Sequence, residues 1–161
     1  MRFISTRGKG EAISSSEAII KGIADDGGLF VPNYIPKLET SFEILSQMSY
    51  QEVAFEVLHL MLTDFTDQEL KQCIDSAYDS KFDCPEIAPV RKVGNAYMME
   101  LFHGATIAFK DMALSILPHL LTTAAKKNQI TEDIVILTAT SGDTGKAALA
   151  GFADVPHTRI I

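Results

Sequence analysis

The segment Ile134 to Thr138, IVILT, most constrains what this chain can fold into. It is short, apolar and rich in β-branched residues, and polar residues flank it. That pattern fits a buried parallel strand. The residues from Thr138 onward, TATSGDTGKAALAGF, read as a glycine-containing turn and then a helix starting near Thr144 to Lys146. A strand that turns directly into a helix is the repeating unit of an α/β fold. Such a turn points backbone N–H groups at whatever sits above it and favours anions. Ligands of open α/β sheets bind at that end of the strands. Two readings compete for the turn. A nucleotide-type phosphate loop fails on spacing, because Thr140 stands where its first glycine is needed and Ala147 where Ser or Thr must follow the lysine. A carboxylate loop fits better: Thr140, Ser141 and Thr144 supply hydroxyls, and the helix start supplies N–H donors.

A second stretch, Glu100 to Asp111, reads ELFHGATIAFKD and carries the strongest candidate for chemistry, Lys110. A short apolar strand, Tyr97 to Leu101, precedes it. Apolar residues at Ala113, Ile116, Leu117, Leu120, Leu121 and Ala124 follow at helical spacing. Pro118 falls inside that helix and should kink or divide it. Lys110 is therefore expected in the loop entering the helix or in its first turn. The partial positive charge of a helix start disfavours a cation there. Loss of solvation beside Phe109 and Met112 acts in the same direction. A neutral lysine amine is a nucleophile that can carry an aldehyde cofactor. Position alone also allows a plain structural lysine held charged by Asp111, since perturbed groups occur in structural networks too.

Charge and cysteines narrow the function classes. The chain has 161 residues, enough for one ordinary domain, and its formal net charge is −7. That balance argues against nucleic acid, whose binding rests on clustered Lys and Arg. No apolar run approaches the roughly 20 residues needed to span a bilayer. The start, MRFISTRGKG, has basic residues but no apolar signal core. These features point to a cytoplasmic protein. Cys73 and Cys84 form no metal or redox motif. His59, His103, His119 and His157 lack metal-ligand spacing, and His103 alone lies beside Lys110.

The N-terminal half reads as helices and one short sheet. Arg2 to Arg7 is a candidate strand. Ser14 with Glu17, Ser49 with Glu52, and Thr66 with Glu69 each stand three apart before an apolar run, the capping-box pattern. They predict helices over Glu17–Ala24, Tyr50–Leu62 and Asp67–Tyr78. Asp25-Asp26-Gly27-Gly28 is expected to end the first. Aspartates at such turns usually bond their own backbone. A strand over Leu29–Val31, stopped by Pro32, is expected next. Leu70, Cys73, Ile74, Ala77 and Tyr78 make a stripe that reads as core. Lys81 to Pro89 is a polar, proline-containing connection and the expected boundary. Val90–Val93 and Tyr97–Leu101 read as two strands joined across Gly94-Asn95.

LFHGATIAFKD resembles the segment LFHGPTLAFKD of the threonine synthases, pyridoxal-phosphate enzymes of the tryptophan-synthase-β type (fold type II). STRG with SEAIIKGIADDGGLFVP is similar to their N-terminus, and TSGDTG resembles their substrate loop. The three strings occur in the family's order, so the resemblance runs through nearly the whole chain. Ala105 replaces the usual proline and should loosen the loop. The resemblance implies a mixed N-terminal α+β domain over 1–89, then the first part of a parallel-sheet α/β domain over 90–161 that binds pyridoxal 5'-phosphate. It implies that Lys110 is the Schiff-base lysine, with Phe109 and Asp143 near the cofactor. Thr140, Ser141, Gly142, Asp143 and Thr144 would meet the substrate carboxylate, and His103 would help shape the pocket. The implied reaction converts O-phosphohomoserine and water to threonine and phosphate.

Family members are much longer, and Arg159-Ile160-Ile161 looks like the start of another strand. The expectation is an N-terminal fragment, inactive alone, without the glycine-rich loop that cradles the cofactor phosphate. A sheet edge left open should seek a partner by self-association. Two alternatives stand beside this. One is a related phospho-lyase releasing an oxo-acid, and the other is a short non-catalytic association module.

Overall fold

The computed structural model describes residues 1–161. In chain order the elements are β1 (Phe3–Ser5), α1 (Ser15–Lys21), β2 (Phe30–Pro32), α2 (Phe42–Leu45), α3 (Tyr50–Met61), α4 (Asp67–Ala77), β3 (Val90–Val93), β4 (Ala96–Met99), α5 (Asp111–Leu114), α6 (Leu117–Lys127), β5 (Ile134–Ile136), α7 (Asp143–Phe152) and β6 (Thr158–Ile160). The result is a mixed α/β structure with three two-stranded sheets. β1 and β2 are antiparallel, with Ile4 opposite Val31. β3 and β4 form an antiparallel hairpin, with Val93 opposite Ala96 across the turn. β5 and β6 are parallel, with Val135 opposite Arg159. The parallel pair needs a crossover, and α7 supplies it.

The three long-range helices of the first half start where their capping boxes stand. Ser14, Ser49 and Thr66 each accept from the backbone N–H three residues on, and Glu17, Glu52 and Glu69 reach back to the cap N–H. Each box satisfies donors that a helix start otherwise leaves open. The stripe of α4 is core: Leu70, Cys73, Ile74 and Ala77 are buried at 0–2% exposure. It meets Ile116, Leu120 and Ala124 at the start and on one face of α6. α1 packs on α6 as well. Asn128, the C-cap of α6, donates to Ser16 Oγ at 3.1 Å.

Phe82 and Ile87 from the 81–89 connection are also part of this core. One core therefore crosses residue 89, and the connection is anchored on both sides of it.

Several local expectations change. α1 stops at Gly22, before Ala24, because Gly22 takes φ 68° and its N–H closes onto Ala18 O at 2.9 Å. The Asp25–Gly28 turn is separate from the helix end. Pro32 is the last residue of β2 and pairs with Phe3, rather than stopping the strand before it. The short α2, capped by Ser41, has no sequence counterpart above because it lacks a capping box. β5 ends at Ile136 and is only half-covered: Val135 is 57% exposed, and Leu137, just past the strand, 80%, against the expected buried strand over 134–138. Its single neighbour is β6, and α7 packs on β6, so one face of the pair stays open. No helix is long and apolar enough to cross a membrane.

Candidate active site

The loop from Glu100 to Lys110 is shaped by its last neighbour, Asp111. That carboxylate is 3% exposed and accepts from Thr106 N–H at 2.8 Å and Thr106 Oγ at 2.6 Å. Gly104 lies against it: an added Cβ would sit 2.5 Å from Asp111 Cβ. Ile107 takes φ 66°, and its N–H donates to Gly104 O at 3.0 Å. A β-branched residue at positive φ is strained and persists only where the surroundings dictate it. Here the Asp111–Thr106 pair and the Gly104 turn do so.

With Asp111 occupied, Lys110 has no ion pair. Its Nζ lies 4.2 Å from the centroid of the Phe109 ring, and the residue is half-buried. It stands at the N-cap of α5 as expected, with φ −67° and ψ −18°. The helical pattern after it is divided at Pro118, as the position of that proline predicts. α5 is four residues long and α6 restarts at Leu117 with Pro118 in its first turn. A helix dipole is a sum over aligned peptides, so the field at Lys110 is that of one turn.

Lys110 opens onto an apolar groove of about 690 Å³. Tyr50, Met99, Leu101, Phe109 and Met112 form its walls, and Thr144 of the TSGDTG turn lies on its rim. The fold thus joins one lysine and one turn residue that are remote in sequence. Tyr78 fixes the floor by donating to Met112 O at 2.8 Å, and its ring meets Tyr50 edge-on at 4.8 Å. Burial pushes both phenols above their ordinary range.

The TSGDTG turn is built from inside. Thr140 Oγ accepts from Gly145 N–H at 2.8 Å and from Gly142 N–H at 3.3 Å. An added Cβ at Gly145 would lie 2.6 Å from that oxygen. Thr140 therefore shapes the turn with its hydroxyl. Ser141, Gly142, Asp143 and Thr144 are exposed, and the N–H groups of Asp143 and Thr144 have no partner within the protein. Asp143 Oδ1 is 3.8 Å from Lys146 Nζ, an exposed pair on the first turn of α7.

His103 is placed differently from the other candidates. It is not a wall of the groove. Its Nδ1 lies 2.6 Å from Asp83 Oδ1 and its Nε2 3.0 Å from Glu100 Oε2. Those hydrogen bonds, Glu100's first, raise its pKa.

Sequence reasoning missed Tyr50, Thr106 and Asp83. Tyr50 reads only as the first residue of a capped helix, to which the sequence assigns no chemistry. Thr106 and Asp111, five apart, offered a local signal in the side chain–backbone pairing that Asp and Thr favour. Asp83 carried none, because its partner is distant.

Comparison with known proteins follows the same outline. The family described as threonine synthase N terminus matches residues 2–78. A threonine synthase of Pseudomonas aeruginosa is 39% identical, over 99% of this chain and 36% of its own length. One of Schizosaccharomyces pombe is 41% identical, over 92% of this chain and 31% of its own. The crystal structure of PLP-bound threonine synthase from Brucella melitensis superposes with a TM-score of 0.89 at 33% identity, covering 99% of this chain and 34% of that one. The chain thus spans about a third of the length of the curated relatives it matches.

Proposed function

This chain belongs to the threonine synthase family, and we propose that it is the part of such an enzyme that carries the cofactor-bearing lysine and the substrate-carboxylate turn. The observation that carries the reading is the groove: an unpaired amine, Lys110, and the exposed turn at Thr144 share one apolar slot. The proposed reaction is conversion of O-phosphohomoserine and water to threonine and phosphate.

The residues fit pyridoxal 5'-phosphate. An aldehyde on a flat aromatic ring needs an unpaired amine beside an apolar wall, and Lys110 with Phe109 and Met112 supplies both. When bound, the cofactor supplies an electron sink for carbanions at the substrate's α and β carbons. Lys110 would hold it through Nζ and, when freed by substrate, move the proton at the reacting carbon. Ser141, Gly142, Asp143 and Thr144 would receive the substrate carboxylate, through the partnerless N–H groups at the start of α7. Asp143 would stand near the cofactor ring, its charge partly offset by Lys146.

We read 1–89 as the N-terminal domain and 90–161 as the first part of the cofactor domain, docked on it through α6. Two free cysteines suit the cytoplasm. The open edges of the β5–β6 pair suit a further strand, from more of the same polypeptide or from a second copy.

The test is addition of pyridoxal phosphate, borohydride reduction and peptide mass mapping. An adduct confined to Lys110, and lost in Lys110→Ala, is expected. Labelling scattered over exposed lysines such as Lys9 and Lys126 would overturn the reading.

A further inference from the structure

The loop that leads to Lys110 is pinned at His103. Asp83 N–H donates to His103 O at 3.0 Å, and the Asp83 carboxylate lies 2.6 Å from His103 Nδ1. The opposite ring nitrogen, Nε2, lies 3.0 Å from Glu100 Oε2. Ionised carboxylates only accept, so both ring nitrogens must donate. Such charge-assisted bonds are the stronger kind. The imidazole side chain is 14% exposed. Phe102 stacks beside it, ring centroids 4.6 Å apart. On the far side of Glu100 lies Arg91, with Nε at 4.0 Å, and Arg91 in turn meets Glu86 at 3.4 Å. Contacts then run from His103 to its neighbour Gly104, from Gly104 to Asp111, and from Asp111 to Lys110.

We propose that His103 is a positioning residue: donating from both ring nitrogens to Asp83 and Glu100, it holds the 100–111 loop in the shape that presents Lys110 to the groove. Its meaning for catalysis rests on the reading of Lys110 given above. The clamp is complete only while the ring carries its second proton. A histidine whose pKa is raised by folding contributes fully below its unfolded value of about 6.5 and loses that contribution as pH rises through the folded value. The loop should therefore loosen on the alkaline side. Asp83 and Glu100 face the ring directly and set where that happens, while Arg91 and Glu86 stand behind Glu100.

The experiment is a pH titration of the nitrogen-15-labelled chain by NMR. Two readouts are followed together: the His103 ring nitrogens, and the exchange protection of the Ile107 amide relative to its intrinsic rate. Both are expected to change over one pH span, above that of an ordinary histidine. Glu100→Gln and Asp83→Asn, which keep shape and remove charge, should each move both midpoints to lower pH together; Asp83 is exposed and its variant guards against a folding defect in the other. Over the same span, the share of borohydride-trapped pyridoxal phosphate on Lys110 should fall to that of Lys9. Ile107 protection that stays flat through the His103 titration, or midpoints that separate in the variants, would overturn the proposal. Coinciding midpoints with no Lys110 adduct at any pH would support the clamp and overturn the cofactor reading instead.

Discussion

At the scale of single residues, the site depends on which partner each charged group takes. Lys110 and Asp111 are adjacent in sequence, and adjacency suggests an ion pair. The fold separates them because Thr106 offers Asp111 two donors at once, an N–H and a hydroxyl, leaving the amine free. Gly104 makes that arrangement possible, since no Cβ fits against Asp111. Gly104→Ala should cost about 1–3 kcal/mol, the usual range for overpacking, and scatter the pyridoxal label away from Lys110. Urea unfolding together with peptide mapping checks both. A variant of unchanged stability with the label still on Lys110 would mean that the loop shape does not depend on this contact. The lysine and its loop were legible in the string of residues. The partners of Asp111 and His103 were not, because each is chosen by three-dimensional proximity.

At the scale of elements, the starts of α1, α3 and α4 were legible to within two residues. The boxes at Ser14, Ser49 and Thr66 are contacts between residues three apart, so the sequence displays both halves of each bond. Helix ends and strand burial were less so. Gly22 closes α1 earlier than the downstream glycine pair suggested, and Val135 faces out because only one side of its sheet is covered. The apolar stripe of α4 is the element-scale anchor of the core. Leu70 is wholly buried there, and Leu70→Ala should destabilise the chain by about 2–5 kcal/mol. Denaturant unfolding monitored by circular dichroism gives the number; a loss below about 1 kcal/mol would show that α4 and α6 do not share one cooperative core.

At the scale of the whole molecule, the first half and the second are joined by a single core and by polar ties between distant segments. The Asn128–Ser16 bond and the Lys127–Glu69 pair at 2.9 Å are such ties; within the first half, Asp64 accepts from the Ser15 hydroxyl and from Ser16 N–H, holding the start of α1 to the turn before α4. Burial pushes its pKa up, but the bonds from Ser15 and Ser16 outweigh this and leave it below the ordinary value. A carboxylate with a depressed pKa contributes stability above its unfolded value of about 3.9 and loses it as pH falls through the folded value. Melting temperature should therefore drop between pH 5 and the acid side, and Asp64→Asn should show a smaller drop, since its side chain does not titrate. An identical drop in both would assign the acid sensitivity to other groups. The sequence by itself determined the three capping-box helix starts, the core stripe of α4, the turn ahead of α7 and the family strings, because each is a pattern within one segment, read at fixed spacing. Only the tertiary structure decided that Lys110 and Thr144 border one groove, that His103 serves two carboxylates, and that the core crosses residue 89. Those facts depend on contacts between segments far apart in the chain, and the residues on either side carry no mark of one another until the chain is packed.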